Sequence, residues 1–144
     1  MNATAHECEL CRDTGGTLLW QNDLCRVVAV EDADYPGLCR VIANRHAKEM
    51  TDLTPAECTA LLAVVLGVES AMRDTMRPDK MNLASLGNMT PHVHWHVIPR
   101  FSDDRHFPGP VWSQAKREPD IPAARRADAA RLGAALLARL GPSR

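Results

Sequence analysis

The stretch "PHVHWHVIPR", residues 91–100, places His92, His94 and His96 at strict two-residue intervals, with valine and tryptophan between them. Successive side chains of a β-strand point to opposite faces. The spacing therefore predicts a strand that carries three imidazoles on one face and apolar side chains on the other, and that stops at Pro99. The three rings would span roughly 13 Å of strand, so neighbours could jointly contact one small charged group.

Such a row of histidines suits three different roles. The rings could be structural polar groups, although burying three titratable rings side by side requires a partner for each. They could be neutral nitrogen ligands of a metal ion. They could also serve phosphoryl chemistry, in which one imidazole attacks phosphorus and a neighbour stabilises the phosphate charge. The loop "LGNMTP" just upstream favours this third role, because Gly87 permits close backbone approach and Asn88 supplies an amide donor.

The composition of the chain limits its class. A chain of 144 residues that is 45% hydrophobic and 24% charged fits a single domain, residues 1–144. A net charge of -1 offers no field to attract nucleic acid or an anionic membrane. No apolar run approaches the roughly 20 residues that span a bilayer, and the N-terminus lacks the pattern of a signal peptide. We expect a cytoplasmic protein whose five cysteines are reduced.

Local patterns upstream of the histidines predict a hairpin and a long helix. Two segments rich in β-branched residues, 24–32 and 37–44, flank the turn residues Pro36 and Gly37. A helix is then predicted from Thr54 to about residue 76, because Thr54, Pro55 and Glu57 match a capping box and apolar residues follow at spacings of mostly three and four. Its apolar face should pack on a sheet.

The rest of the chain completes an α+β domain. Residues 81–88 are predicted to form a strand that runs into a Gly-Asn loop before the histidine strand. Residues 101–121 are predicted to be irregular because of their prolines and lack of period. Helical spacing returns over 122–140 and ends at Gly141. We therefore expect an antiparallel sheet with one long central helix and a C-terminal helix.

In sequence and order, these elements resemble the histidine triad (HIT) family, specifically its bacterial-type nucleotide hydrolase branch. "HVHWHVIPR" is similar to the family signature, and the hairpin ending at a histidine, "TDLTPAE", and "MNLASLGNMTP" follow the family order. The resemblance runs from about residue 8 to 112, which leaves 113–144 as an irregular segment and helical extension. It implies a HIT-like fold and a homodimer.

The resemblance also implies an activity. In this family the middle histidine, here His94, attacks the α-phosphate of a nucleoside phosphoramidate or dinucleoside polyphosphate. The resulting covalent nucleotidyl-histidine is hydrolysed to a nucleoside monophosphate, and no metal is required for this chemistry. His96 would contact the phosphate, and His92 would orient the hydrogen-bond network of the site.

Three further residues are implied as substrate contacts. Asn82 matches the family's phosphate-contacting or leaving-group-contacting asparagine, although its spacing to the triad is one residue shorter than in some branches. Asn88 lies where the family often has a polar residue. Asp32 resembles the acid that binds the ribose hydroxyls, with a hairpin-turn aspartate as the alternative. The expected partner is a small nucleotide, not nucleic acid or a membrane.

A second resemblance concerns a metal site. Some HIT branches hold structural zinc with a CxxC pair, a histidine after the hairpin and the first histidine of the triad. Cys8, Cys11, His46 and His92 would fill these positions, a tetrahedral Cys2His2 set. The alternative is a pair of ordinary reduced cysteines. A zinc-bound His92 could not also use its ring as a free hydrogen-bonding partner in the active site.

Other functions and one segment stay open. The chain could be a non-catalytic nucleotide- or metal-binding module, or a nucleotidyltransferase. Transferase branches of the family usually replace the third histidine by glutamine, so the intact His96 favours hydrolysis. The segment that contains His106 and Trp112 is either a packed surface loop or a wall of the phosphate site.

Overall fold

The computed structural model describes residues 4–144 and confirms the predicted α+β class. Five strands form one antiparallel sheet in the order β1-β2-β3-β5-β4. The strands are β1 Thr17–Gln21, β2 Cys25–Ala29, β3 Cys39–Ala43, β4 Lys80–Ala84 and β5 His94–Arg100. The helices are α1 Glu9–Arg12, α2 Pro55–Met76, α3 Ala123–Ala130 and α4 Leu132–Leu140, and a 3-10 turn spans Met50–Asp52.

The predicted hairpin is formed by β2 and β3, with Val27 opposite Val41. Gly37 lies in the connecting turn with a φ of 88°, a conformation that glycine adopts without steric penalty. The strand β1 is an addition that the sequence patterns do not reveal. It pairs with β2 through a register that shifts between Leu18 and Trp20.

The helix α2 begins as predicted. The Thr54 side chain accepts a hydrogen bond from the backbone N–H of Glu57, and the Glu57 side chain accepts one from the N–H of Thr54. One face of the helix is buried in the core on the sheet. Its buried residues are Leu61, Val64, Val65, Val68, Ala71, Met72 and Met76.

The expectation that no apolar run is long enough to span a bilayer needs a correction. By length and composition alone, the 22 residues of α2 could do so. However, α2 contacts β3, β5 and α4 and contributes seven residues to the core, which is the position of a core helix in a globular domain.

The histidine strand differs from its prediction at both ends. The strand β5 starts at His94, so His92 precedes it, and it continues through Pro99 to Arg100. Proline is tolerated because the pairing of β3 with β5 ends at Val97, beyond which β5 has only β4 as a neighbour. The missing N–H of Pro99 therefore removes no ladder hydrogen bond to β3.

The C-terminal region forms two helices where the sequence predicts one. The helical ladder is interrupted at Arg131, whose ψ is -4° and whose N–H bonds to the carbonyl three residues earlier. The second helix, α4, packs against α2 and β1 and buries Leu132 and Leu136. Residues 101–122 carry no helix or strand, as predicted.

The sheet has two differently covered faces. The helices α2 and α4 cover one face and enclose the main core. The opposite face, which we call the front face, carries Arg40, Ile42, His94 and His96. Cys8 and Leu10 of the N-terminal segment pack on Val28 and Ile42 at one end of this front face.

Candidate functional site

A cleft of about 290 Å³ opens on the front face around two of the three triad histidines. β5 provides His94 and His96, β3 provides Arg40, and the loop between β4 and β5 forms one wall. Its lining residues are Glu9, Leu10, Arg40, Leu86, Gly87, Asn88, Met89, Thr90, His94, His96 and Trp112. Of the predicted site residues, the structure thus brings His94, His96 and Asn88 together.

His94 is held in one tautomer by the backbone. Its Nδ1 lies 2.6 Å from the carbonyl oxygen of His92, and because a carbonyl can only accept, Nδ1 carries the proton. This leaves Nε2 with a lone pair. The side chain is 8% exposed, and burial lowers the pKa of His94 below its ordinary value of 6.5. A neutral imidazole with a free Nε2 has the state that a nucleophile requires.

His96 lies next to His94, with ring centroids 5.1 Å apart. Burial, and then repulsion from His94 and Arg40, lowers the pKa of His96 to about 4. Within residues 4–144, the ring nitrogens of His96 make no hydrogen bond, so they are available to a ligand. Trp112 packs edge-on against His96 at 5.0 Å and forms the wall of the cleft.

His92 contributes to this cleft only through its carbonyl. Its Nε2 donates to the carbonyl of Ala43 at 2.6 Å, while its Nδ1 faces Cys8, Cys11 and His46. Its ring therefore does not share the cleft with the other two rings, because the strand begins only at His94. Burial lowers the pKa of His92, which favours its neutral form.

The four residues of the predicted zinc set form one compact group, which we call the Cys/His cluster: Cys8, Cys11, His46 and His92. Their ligand atoms lie within 4.8 Å of one another, and the separations of the His92 Nδ1 from the other three are 3.3–3.5 Å. Tetrahedral bonds of about 2.0–2.3 Å to zinc place ligand atoms roughly 3.3–3.8 Å apart. The donor types and spacing fit zinc.

Local structure explains how the cluster forms. The short helix α1 brings Cys8, its N-cap, and Cys11 onto the same side, and His46 follows the end of β3. The hydrogen bond from His92 Nε2 to Ala43 fixes the tautomer in which Nδ1 is the unprotonated, ligating nitrogen.

Asn82 lies outside the cleft. Its Oδ1 accepts a hydrogen bond of 2.7 Å from Nη1 of Arg100, and it lines a separate cavity with Trp112. Arg100 forms an ion pair with Asp104 at 2.7 Å, and both side chains are 2% exposed. Burial acts to raise the pKa of Asp104, but hydrogen bonds from Arg100 and from backbone N–H groups lower it to about 2. This ion pair anchors the segment that carries Trp112.

Two other candidates occupy distinct positions. Asp32 is exposed in the hairpin turn, does not line the cleft, and accepts a hydrogen bond of 2.9 Å from the N–H of Asp34. This is the geometry of the turn alternative. His106 stacks on Tyr35 and shares a 2.6 Å hydrogen bond with its hydroxyl, so this part of the irregular segment is a packed loop.

Arg40 is a cleft residue that the sequence reasoning missed. Strand alternation in "CRVIA" separates Arg40 and Ile42 from the apolar residues of the core face. That alternation is visible in the sequence, but only the register, in which Arg40 is opposite His96, shows that this face is the histidine face.

A comparison with models of protein families shows the family to which this chain belongs. The model of the HIT domain matches residues 13–103, more than half of the chain. The chain belongs to the HIT family. Solved structures of HIT proteins share the fold: a histidine triad protein from Bradyrhizobium japonicum has a TM-score of 0.71 at 28% identity, with 88% of this chain and 91% of that chain covered.

Further members of the HIT family show the same fold. A histidine triad protein from Marinobacter aquaeolei has a TM-score of 0.71 at 28% identity and covers 88% of this chain and 92% of its own. A protein described as a Zn-bound histidine triad family protein, from Mycobacterium smegmatis, has a TM-score of 0.65 at 23% identity over 94% and 96% of the two chains. The five-stranded HIT fold is therefore shown for this chain.

Sequence relatives with curated names match a shorter part of this chain. The AP-4-A phosphorylase of Mycobacterium tuberculosis is 30% identical over 78 residues, which is 50% of this chain and 40% of the relative. The asymmetrical bis(5'-nucleosyl)-tetraphosphatase of Schizosaccharomyces pombe is 31% identical over 87 residues, 57% of this chain and 48% of the relative. The HIT chain thus spans less than half the length of either relative.

Proposed function

We propose that this HIT protein is a nucleotidyl hydrolase that cleaves its substrate at the α-phosphate through a covalent intermediate on His94. The observation that carries this proposal is the hydrogen bond from His94 Nδ1 to the His92 carbonyl, which leaves a neutral Nε2 in a side chain that lines the cleft. The substrate class is a nucleoside phosphoramidate or dinucleoside polyphosphate. The curated names of the two relatives, a phosphorylase and a tetraphosphatase, agree with chemistry on nucleotides.

The reaction proceeds in two displacement steps. In the first, the lone pair of His94 Nε2 forms a bond to the α-phosphorus while the bond from phosphorus to the leaving oxygen or nitrogen breaks. The leaving group departs with the electron pair, and an amine leaving group also takes up a proton. In the second, water attacks phosphorus, loses a proton, and breaks the phosphorus–Nε2 bond, which releases the nucleoside monophosphate and regenerates His94.

Neutral donors around the phosphate stabilise its charge in both steps. The ring of His96 has no hydrogen-bond partner within residues 4–144 and lies beside His94, so one ring N–H can donate to a phosphate oxygen. Asn88, in the loop between β4 and β5 that lines the cleft, can add its amide. His92 acts as a positioning residue through its carbonyl.

The contacts predicted for Asn82 and Asp32 stay predictions, and each side chain already has a hydrogen-bond partner within the protein. Asn82 is bonded to Arg100, so we assign it an indirect role in fixing the wall that carries Trp112. The ribose contact predicted for Asp32 stays a prediction, and its side chain is engaged in the hairpin turn.

We propose that the Cys/His cluster holds a structural zinc ion. The two thiolates and two imidazole nitrogens have the chemistry and separations that zinc prefers. Bound there, the ion would crosslink the N-terminal segment to the residues that follow β3 and precede β5. The cluster and the cleft are separate sets of side chains, so the ion has no place in the displacement steps.

The predicted homodimer has a candidate surface. Leu62 and Leu66 on α2 are 37% and 57% exposed, and Leu83 on the edge strand β4 is 36% exposed. An edge strand with exposed apolar side chains is suited to cover by a second copy. Light scattering of the purified protein would decide between monomer and dimer. The cytoplasmic location stays a prediction.

The test of the hydrolase proposal is mass spectrometry of intact protein, quenched within seconds of mixing with adenosine phosphoramidate or diadenosine tetraphosphate. We expect the wild type to gain one adenylyl group and release AMP, and His94→Ala to do neither. His6→Ala serves as the matched control, because it removes an exposed histidine that belongs neither to the cleft nor to the Cys/His cluster. Absence of both adduct and AMP with each substrate would contradict the proposal and favour a binding module.

A second candidate function is transfer to phosphate, which the name of the phosphorylase relative favours. The first step is unchanged, and inorganic phosphate replaces water in the second. The same quenched samples, repeated with added phosphate, distinguish the two: ADP indicates the transferase, and AMP alone indicates the hydrolase.

A further inference from the structure

Arg40 is a charged residue of the cleft that the displacement steps do not use. It projects from β3 at the position directly opposite His96, and it lines the same cavity as His94 and His96. Adjacent strands are about 4.8 Å apart. Its side chain therefore lines the cleft from the strand next to the one that carries the two histidines.

The guanidinium of Arg40 has little to bind within the protein. Its Nε is buried and has no hydrogen-bond partner among residues 4–144, and its Nη1 lies 3.5 Å from the Gly15 carbonyl, at the limit of a hydrogen bond. Within this same range, no carboxylate forms an ion pair with it. A buried N–H without a partner is unfavourable, so this arrangement indicates a group that is completed by a ligand.

Two other arginines of the front face have guanidinium groups with several hydrogen-bond partners. Arg100 is paired with Asp104 and also bonds to Asn82. Arg26 donates to the carbonyls of Leu10, Asp13 and Thr14. Arg40, which lines the cleft, differs from both: among residues 4–144 its Nε has no acceptor, and its Nη1 has the long contact with Gly15.

We propose that Arg40 is a specificity-determining residue that binds the phosphate next to the attacked one and so selects polyphosphate substrates. This inference rests on the proposed function and names its substrate class as dinucleoside polyphosphates. The planar guanidinium matches phosphate oxygens with two parallel N–H donors. A nucleoside phosphoramidate has a single phosphate, which His94 and His96 already engage, so it offers Arg40 no second one.

The experiment compares kcat/KM for diadenosine tetraphosphate and adenosine phosphoramidate in the wild type and in Arg40→Met. A hydrogen-bonded charged contact corresponds to roughly a 10- to 100-fold effect. We expect the ratio of the two kcat/KM values to fall by about this factor, mostly through the polyphosphate. Arg40→Lys should recover part of the ratio, because lysine keeps the charge but not the two-pronged geometry. Arg139→Met, which removes an exposed charge on α4, should leave the ratio unchanged.

Two kinetic outcomes would overturn the inference. An equal loss with both substrates would place Arg40 on the α-phosphate or the nucleoside. An unchanged ratio with full activity would show that the guanidinium makes no substrate contact. Circular dichroism of each variant confirms that the fold is intact.

A binding measurement tests the role of Arg40 independently of whether the protein is a hydrolase. Calorimetry with inorganic tripolyphosphate and with inorganic phosphate uses no turnover. We expect Arg40→Met to bind tripolyphosphate at least about 10-fold more weakly than the wild type does. The affinity for inorganic phosphate should change much less. Equal tripolyphosphate affinity in the two proteins would overturn the role of Arg40 even if the protein proved to have no hydrolase activity.

Discussion

The Cys/His cluster and the cleft share one short stretch of chain, yet they hold histidines in opposite states. In the cluster, the ring of His92 is fixed at both nitrogens, by Ala43 on one side and by three potential ligands on the other. In the cleft, His94 is fixed at one nitrogen and His96 at neither. Hydrogen-bond partners, and not sequence spacing, therefore decide whether a histidine is suited to hold a structure together or to react.

Removing the free imidazole of His94 should have the largest effect on activity. We expect His94→Ala to lower kcat by about 10⁴-fold or more, because the nucleophile of a covalent mechanism has no substitute. Steady-state assays of AMP release measure this loss. Thermal unfolding and zinc content should stay near wild type, and a large drop in either would show that the two regions are not separate.

The wall of the cleft offers the next largest effect, this time on stability. Asp104→Asn would leave the Arg100 guanidinium buried without its counter-charge, which costs about 3–5 kcal/mol. Urea unfolding of the variant measures this change in the free energy of unfolding. An isosteric replacement that unfolds like wild type would contradict the assignment of the pair as the anchor of residues 101–117.

The cluster should respond to loss of a ligand mainly through stability and metal content. We expect Cys11→Ser to lose stoichiometric zinc and to lower the free energy of unfolding by about 3 kcal/mol at saturating metal. Metal analysis and unfolding with and without a chelator provide the readouts. Because Cys11 does not line the cleft, kcat should change less than 10-fold. Full zinc content in the variant would refute the ligand set.

The smallest expected effect is on the pH profile. Burial lowers the pKa of His96 to about 4 and also lowers the pKa of His94 below its ordinary value of 6.5, so each ring keeps its neutral form to lower pH than a free imidazole does. Activity that depends on neutral imidazoles is present above the folded-state pKa and lost only as pH falls through it. We therefore expect the acid limb of the kcat profile to have its midpoint below 6.5. A titration midpoint near 6.5 would show that the cleft does not desolvate its histidines.

Local rules predict much of the fold from the sequence. The capping box at Thr54 and Glu57, the turn at Pro36 and Gly37, and the alternation in the strands each depend on neighbours within a few residues, and the structure confirms them. The strand β1 is not predictable in this way, because "TLLWQ" has no regular alternation and its register with β2 shifts. The helix break at Arg131 is not predictable either, since the helical spacing of alanine and leucine residues continues across it.

The candidate site was less predictable because it depends on partners distant in sequence. Residue spacing placed His94 and His96 on one face, but the site of the His92 ring depended on where β5 begins. Asn82 lies on the front face, but its side chain is hydrogen-bonded to Arg100 and does not line the cleft. Arg40 required the register between β3 and β5, which no local pattern specifies.

The hydrogen bond between His94 and the carbonyl of His92 has a consequence for mutagenesis. His92 has two independent functions in one residue: its side chain belongs to the cluster, and its peptide group orients the nucleophile. A side-chain scan removes the first function and preserves the second, so it would score His92 as structural. Exchanging the peptide linkage between residues 92 and 93 for an ester would instead weaken the carbonyl as an acceptor. Because the ester also removes the Val93 N–H, which donates to the Ala47 carbonyl at 2.7 Å, the loss of His94 reactivity has to be compared with the loss of stability.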